Sequence, residues 1–165
     1  MIKPNIALIG PMGVGKTSVG RFLSVTLSMV FFDFDTEIEN VAGMTITQIF
    51  SDHGEDHFRK LEHKICKKTS KMQGFVISTG GGVLLNPTNL PLLQTNCILI
   101  YLKATFPTLL SRLEGDLTRP LLHNLENILH EREPLYAQAA DHIIQTDKKT
   151  PAQCAEEIID IISGL

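Results

Sequence analysis

The sequence lacks the features of a membrane protein or of a general nucleic-acid binder. No apolar run approaches the roughly 18 residues that a membrane-spanning helix needs. The formal net charge of −3 argues against broad binding to nucleic acid or to acidic membranes. The N-terminus shows no signal-peptide pattern, because its only apolar run leads directly into a glycine-rich loop. We therefore expect a cytoplasmic protein.

Cysteine and arginine are both scarce. The three cysteines share no CxxC spacing, which favours reduced thiols in the core. There are five arginines against ten lysines. Because a guanidinium group binds carboxylates and phosphates with a forked geometry that lysine lacks, the arginines are candidates for anion binding. They are Arg21, Arg59, Arg112, Arg119 and Arg132. Arg21, on the first predicted helix, is interpreted as a solvated or structural charge.

The length of 165 residues predicts one domain, residues 1–165, with ordinary globular composition. Short apolar runs predict strands at Ile6–Ile9, Val30–Phe34, Phe75–Ser78, Ile98–Leu102 and His142–Gln145. Amphipathic stretches predict helices near 16–28, 45–72, 86–95, 105–114, 125–139 and 151–163. Alternating strands and helices indicate a parallel sheet covered on both faces, a three-layer α/β/α fold whose ligands bind beyond the carboxyl ends of the strands.

The segment Gly10–Thr17 matches GxxxxGK[ST] in full. It follows a predicted strand and opens a predicted helix, which is the context of a phosphate-binding loop. Backbone amides of such a loop converge on an anion, Lys16 can reach the outer phosphates, and the Thr17 hydroxyl can hold Mg²⁺. The pattern predicts binding of a nucleoside triphosphate. The competing interpretation is a glycine turn that only joins strand to helix.

Two further clusters follow predicted strands. Asp33 and Asp35 are two apart, so on a strand both carboxylates would point the same way, toward Mg²⁺ and a substrate hydroxyl. A pair of solvated caps, with Asp35 starting the next helix, remains an alternative. The turn Ser78–Gly82 ends in three glycines, which allow close backbone approach to a ligand or to the first loop, although a merely flexible turn has the same pattern. Arg59 has Glu62 three residues later, where it could fix the arginine's orientation.

The segment 114–123 lies between two helical patterns and contains Arg119. An arginine on a connection near a phosphate site suggests a lid that closes over the substrate and excludes water. An ordinary surface loop is the alternative.

Taken together, these motifs resemble the shikimate kinase family along the whole chain, in order and spacing. The motifs are Gly10–Thr17, Asp33-x-Asp35, Phe58-Arg59, Gly80-Gly81-Gly82, Thr118-Arg119-Pro120-Leu121 and Arg132-x-Pro-Leu-Tyr136. The resemblance implies a P-loop kinase fold of the nucleoside-monophosphate-kinase type, with a five-stranded parallel sheet of order 2-3-1-4-5 and a mobile lid at about 113–124. It also implies a monomer that transfers the ATP γ-phosphate to the 3-hydroxyl of shikimate, a step in making aromatic amino acids.

The resemblance also implies residue roles by matching position. Catalytic roles fall on Lys16, Asp35 and Arg119. ATP would be bound by Gly13, Val14, Gly15, Lys16, Thr17, Ser18, Arg112, Arg119 and Pro120. Shikimate would be bound, within and beyond a helical region at about 35–62, by Asp35, Arg59, Gly80, Gly81, Gly82 and Arg132, with Phe50 and Phe58 near its ring. Mg²⁺ would be held by Thr17 and Asp33.

The chain departs from the family pattern near the last strand, where residues 147–151 contain no arginine on the expected adenine side. Two other functions stay open from the sequence. One is a related small-molecule kinase such as a gluconate kinase, whose substrate is also a hydroxylated carboxylate. The other is a regulatory nucleotide-binding module without catalysis.

Overall fold

The computed structural model describes residues 4–114 and 124–165. Within them the chain forms a five-stranded sheet of β1 (Asn5–Ile9), β2 (Val30–Asp33), β3 (Phe75–Ser78), β4 (Cys97–Lys103) and β5 (His142–Gln145). The strands lie in the order β2-β3-β1-β4-β5, and every neighbouring pair is parallel. The predicted fold class and strand order are therefore confirmed.

The described residues also form α-helices on both sides of the sheet. They are α1 (Lys16–Leu27), α2 (Phe34–Ala42), α3 (Ile46–Thr69), α4 (Asn89–Gln94), α5 (Phe106–Leu113), α6 (Leu125–Ala139) and α7 (Pro151–Ser163). Two features were not predicted. The helix α2 begins where the second strand was expected to continue, and the stretch before α4 contains a separate 3₁₀ turn at Val83–Leu85. Most of the predicted lid, residues 115–123 with Arg119 and Pro120, lies outside the described residues.

The core divides into two halves, one on each face of the sheet. On β1, Ile6 and Leu8 pack with α1, α5 and α7, whereas Ala7 and Ile9 pack with α2, α3 and α4. This alternation is what a strand with a period of two residues requires when both of its faces are covered. Because both faces are buried, a shift in register would move apolar side chains out of the core, so the register is fixed. The parallel direction of the strands brings all five carboxyl ends to one edge of the sheet.

Three of the described helices, α2, α3 and α7, begin at a side-chain cap. Thr150 accepts a hydrogen bond from the amide of Gln153, whose side chain accepts one from the amide of Thr150, which is the capping box that the pattern Thr150-x-x-Gln153 indicates for α7. Inside α3, Gly54 has φ +81° and ψ 173°, which breaks the helical path after its first two turns. In residues 4–114 and 124–165, none of the helices combines the length and the apolar character needed to cross a bilayer.

Candidate active site

The loop between β1 and α1 contains three glycines whose φ angles lie in the left-handed region, +144° at Gly10, +79° at Gly13 and +105° at Gly15. A Cβ atom on Gly10 would lie 2.5 Å from the carbonyl oxygen of Leu102, and one on Gly13 would lie 2.8 Å from the Leu113 side chain. The loop can therefore follow this path only with glycine at these positions. The result is a backbone turn at a helix N-terminus, which is the geometry that binds phosphate.

Lys16 is the first residue of α1, and its ammonium group folds back over this loop. Its Nζ donates hydrogen bonds to the carbonyl oxygens of Gly10, at 2.6 Å, and of Pro11, at 2.9 Å. A phosphate oxygen is a better acceptor for an ammonium group than a neutral carbonyl is, because both partners are then charged. Lys16 can therefore exchange these bonds for contacts with a bound phosphate.

Three oxygen-bearing side chains meet beside the start of α1. The Thr17 hydroxyl donates to Asp33 Oδ2 at 3.0 Å and lies 3.5 Å from Ser78 Oγ. Hydroxyl and carboxylate oxygens suit a hard cation, and Mg²⁺ usually takes only one or two protein ligands together with phosphate and water. The adjacent Thr79 does not join this group, because its hydroxyl donates to the buried carbonyl of Leu8 at 2.8 Å.

The strand argument that placed Asp33 and Asp35 on one face is wrong. Strand β2 ends at Asp33, which is the N-cap of α2 and accepts a hydrogen bond from the Thr36 amide at 3.0 Å. Asp35 lies in the first turn of α2. Both carboxylates still line one cleft of about 240 Å³, together with the phosphate loop and the turn after β3. The helix N-terminus, rather than strand alternation, brings them together.

Arg59 on α3 is held by two carboxylates. One of its terminal nitrogens donates to Glu62 Oε1 at 2.9 Å, and the other donates to Glu55 Oε1 at 3.1 Å. The guanidinium also lies over the Phe58 ring, 5.1 Å from its centroid. Phe58 in turn packs against Phe50, with ring centroids 4.8 Å apart. The orientation of the Arg59 side chain is thus fixed by charge pairing and by packing.

Glu62 is an acidic residue almost completely removed from solvent, with 1% of its surface exposed. Burial raises the pKa of Glu62 above its usual range, while the adjacent Arg59 guanidinium opposes the rise. Among the described residues, Glu62 Oε2 and Arg59 Nε are buried without a hydrogen-bond partner. Such orphaned polar atoms are rare in folded proteins and mark a place where a ligand or water completes the bonding.

Each residue of the triple-glycine turn lies against a different part of the site. A Cβ on Gly80 would lie 2.5 Å from Glu62 Oε2, and one on Gly82 would lie 2.4 Å from an Arg59 terminal nitrogen. A Cβ on Gly81 would lie 3.4 Å from the amide nitrogen of Met12 in the phosphate loop. The turn is therefore a close-packed junction, and the alternative of a merely flexible turn does not describe it.

Arg132 approaches the same turn from α6. It is 8% exposed, and one of its terminal nitrogens lies 3.7 Å from the position that a Cβ on Gly81 would take. The two arginines singled out from the sequence, Arg59 and Arg132, thus lie against neighbouring residues of one turn. That turn also contacts the phosphate loop.

Arg112 lies on the other side of the phosphate loop. It donates to the carbonyl of Val14 at 3.1 Å, to Thr146 Oγ1 at 3.1 Å and to the Thr146 carbonyl at 3.2 Å. Arg112 lines both the first cleft and a second cavity of about 280 Å³. The second cavity is also lined by Gly15, Ser18, Thr146, Lys149 and Pro151, among others. Lys149 therefore supplies a cation on the side where the sequence shows no arginine. The predicted contacts of Arg119 and Pro120 lie outside the described residues.

Comparison with known proteins identifies the family. A profile of the shikimate kinase family matches residues 12–163, almost the whole chain. The chain belongs to the shikimate kinase family. It is 40% identical to the shikimate kinase of Tolumonas auensis, with 97% of both chains covered, and 45% identical to that of Caldicellulosiruptor bescii, with 95% of this chain and 94% of the relative covered.

Solved shikimate kinases have the same architecture. The enzyme from Acinetobacter baumannii, solved in complex with shikimate, superposes with a TM-score of 0.94 at 36% identity, covering 98% of this chain and 94% of that one. The Aquifex aeolicus enzyme superposes with a TM-score of 0.86 at 35% identity, covering 97% and 96%. The family assignment made from the motifs is thereby confirmed.

Sequence reasoning missed Asp147, whose carboxylate organises the loop after β5. It accepts hydrogen bonds from the Thr105 amide and hydroxyl, at 3.2 and 2.8 Å, from Thr108 Oγ1 at 2.5 Å, and from the Gln145 side chain. These bonds join the loop after β5 to the start of α5, the helix that carries Arg112. Desolvation would raise the pKa of Asp147, but the hydrogen bonds outweigh it and hold the pKa well below its usual range. The signal available was an acidic residue directly after a predicted strand.

Asp147→Asn should lower the melting temperature at pH 7, and the difference from wild type should shrink in acid. A carboxylate whose pKa is depressed in the folded protein stabilises it fully above its unfolded pKa of about 3.9, and this contribution is lost as the pH falls through the folded pKa. Thermal melts between pH 7 and pH 2 measure this. Asp160→Asn, at an exposed position on α7, is the matched control. A difference that stays constant through the acid range would contradict the role given to the Asp147 charge.

Proposed function

We propose that the chain transfers the γ-phosphate of ATP to the 3-hydroxyl of shikimate, giving shikimate 3-phosphate and ADP. Membership of the shikimate kinase family and the likeness to a relative solved with shikimate support the assignment. One observation carries it on the structural side. Arg59 and Arg132 lie against a single turn that contacts the phosphate loop, so a small carboxylate held by both would stand next to the γ-phosphate.

The acceptor pocket is interpreted from its charges. A guanidinium group binds a carboxylate through parallel hydrogen bonds, and two such groups would orient the shikimate carboxylate. Phe50 and Phe58 supply apolar surface for the ring. Glu62 holds Arg59 in place, and its unpartnered Oε2 can accept a further hydrogen bond on the same side as Asp35, whose Oδ1 lies 3.9 Å from the position of a Cβ on Gly80.

The proposed reaction joins the acceptor, on one side of the glycine turn, to the phosphate bound by the loop on its other side. A bond forms between the shikimate 3-oxygen and the γ-phosphorus, while the bond from that phosphorus to the bridging oxygen of ADP breaks. Asp35 orients the hydroxyl and takes its proton late, because phosphoryl transfer has a loose transition state that depends more on positioning than on base strength. Lys16 and Arg119 would neutralise charge on the transferred phosphoryl group.

The metal and nucleotide contacts complete the proposal. Thr17 and Asp33 would hold Mg²⁺, which neutralises phosphate charge when it is bound. The adenine would lie beside Arg112 and Lys149, in the second cavity, with Pro120 and the lid closing from outside the described residues. We propose a cytoplasmic monomer with a single domain, in which residues 35–62 form the substrate-binding region.

The alternative kinases share the fold but not the family. A gluconokinase from Sinorhizobium meliloti superposes with a TM-score of 0.65 at 15% identity, a level that shows the fold alone. Gluconate, the alternative acceptor left open by the sequence, is therefore not favoured by this likeness. A regulatory module without catalysis is disfavoured because one cleft is lined by side chains that can bind phosphate, metal and acceptor. They are Lys16, Thr17, Asp33 and Asp35.

Purified protein with Mg²⁺ and ATP should release ADP when shikimate is added and should not do so with gluconate or a nucleoside monophosphate. A coupled assay with each acceptor tested separately measures this. Turnover with gluconate alone would keep the fold and the phosphate loop but overturn the acceptor assignment. Binding of ATP without turnover on any acceptor would favour the regulatory module.

Asp35→Asn should lower kcat by about 10²–10⁴, the range by which a positioned acid or base contributes to catalysis. The amide keeps the shape of the side chain but cannot take the proton. ADP affinity, measured by calorimetry, should stay near the wild-type value because Asp35 faces the acceptor. Asp160→Asn, at an exposed position on α7, serves as the control. Turnover close to wild type would remove Asp35 from the mechanism.

Gly82→Ala should raise the KM for shikimate by about 10-fold to 100-fold, as expected for a lost hydrogen bond to a charged group. The φ angle of Gly82 is −102°, so alanine fits the backbone, but its methyl group would collide with the Arg59 guanidinium and displace it. The KM for ATP should change little. Gly164→Ala, at the end of α7, is the matched control because its Cβ has no contact nearer than 3.5 Å. Equal effects on both KM values would contradict the placement of Arg59.

A further inference from the structure

Tyr136 is a buried polar residue for which the proposed mechanism has no role. It lies on α6 and is 1% exposed, and its ring packs against Tyr101 with centroids 5.2 Å apart. Its hydroxyl donates a hydrogen bond to the carbonyl oxygen of Gly81, in the centre of the triple-glycine turn. A long side chain from α6 thus fixes the backbone of a turn that lies 55 residues earlier in the sequence.

Arg132 approaches the same glycine from the same helix. It lies one helical turn before Tyr136, and one of its terminal nitrogens is 3.7 Å from the position that a Cβ on Gly81 would take. Pro134 lies between the two residues, inside the helix. Because proline has no amide hydrogen, α6 lacks one backbone hydrogen bond at that place. Tyr136 and Arg132 thus reach one residue of the turn from the same face of α6.

Gly81 connects this pair to the phosphate loop. The position of a Cβ on Gly81 lies 3.4 Å from the amide nitrogen of Met12 and 3.8 Å from the carbonyl oxygen of Gly10. Through its hydroxyl, Tyr136 therefore holds the turn that packs on the phosphate loop and against which Arg132 lies. A shift of α6 relative to this turn would have to break the hydrogen bond from Tyr136 to Gly81.

We infer that Tyr136 is a positioning residue that sets the distance between Arg132 and the phosphate loop, and so places the bound acceptor in line with the transferred phosphate. The inference rests on the proposed function, because it gives Arg132 the acceptor carboxylate as its ligand. Tyr136 itself does not touch the substrate and acts through Arg132 and Gly81.

A proton-transfer role does not fit this hydroxyl. Burial is the largest influence on Tyr136 and raises its pKa to about 12, although Arg132 opposes the rise. The group therefore remains a protonated donor to Gly81 at any pH at which the protein would be assayed. The Tyr136 hydroxyl therefore positions its neighbours through a hydrogen bond and does not act as an acid or a base.

The test compares two isosteric substitutions of buried tyrosines. Tyr136→Phe removes the hydroxyl and leaves the Gly81 carbonyl without its donor, whereas Tyr101→Phe makes the same chemical change in the ring next to it. We expect Tyr136→Phe to raise the KM for shikimate about 5-fold to 50-fold, the effect of a lost hydrogen bond that leaves a carbonyl unpaired, with the KM for ATP within about 2-fold of wild type. Tyr101→Phe should leave both constants near wild type.

A third variant tests the hydrogen bond itself. With 4-aminophenylalanine at position 136, the ring is kept and an N–H donor is restored, so the KM for shikimate should return toward the wild-type value. Melting temperatures of all the variants separate a loss of positioning from a loss of folding. Rescue by the amine, without a matching change in melting temperature, would support the inference.

Three results would overturn it. Wild-type constants in Tyr136→Phe would show that the hydroxyl positions nothing. Parallel changes of both KM values that follow the melting temperature would make Tyr136 an ordinary core residue. Failure of the wild-type protein to phosphorylate shikimate would overturn the proposed function, and the inference with it, before any variant is compared.

Discussion

The acceptor side of the site depends on the absence of side chains from residues 80–82. A Cβ on Gly80 or Gly82 would lie only 2.5 Å from Glu62 Oε2 or 2.4 Å from the Arg59 guanidinium, so these side chains would have to move. These approaches are closer than real Cβ contacts allow, so glycine is a packing requirement at both positions rather than a source of flexibility. The turn thereby lets charged groups from α3 and α6 lie against a backbone segment that itself contacts the phosphate loop.

Close packing of like and unlike charges then sets the electrostatics of the site. Glu62 is buried beside Arg59, and breaking such a pair by removing one partner leaves an uncompensated charge in the interior. The pair contributes little net stability, because the cost of desolvation offsets most of its attraction. Its effect is to fix the arginine before any ligand arrives. A pre-oriented guanidinium loses little conformational freedom on binding, which favours affinity for a small anion.

The sequence predicted those parts of the site that depend on neighbouring residues. The phosphate loop, the capping box at Thr150 and the strand order implied by the family resemblance all agree with the structure. The strand argument for Asp35 was wrong because a helix N-cap at Asp33 ended the strand one residue earlier than hydrophobicity suggested. The hydrogen bonds around Asp147 and Tyr136 join segments 39 to 55 residues apart, and no local pattern carries that information.

The phosphate loop and the proposed acceptor pocket therefore differ in how they tolerate amino-acid substitutions. The phosphate loop is built from backbone torsions within one short segment, which is why the same segment can serve many kinases with different acceptors. The proposed acceptor pocket is built from side chains of α2, α3 and α6 that lie against the glycine turn. If these side chains bind the acceptor as proposed, a new acceptor would need compensating changes at Arg59, Glu62 and Arg132 together, since a larger or smaller group at one of them alters the space available to the others. Acceptor specificity would for this reason be a property of the junction at residues 80–82 and not of any single arginine.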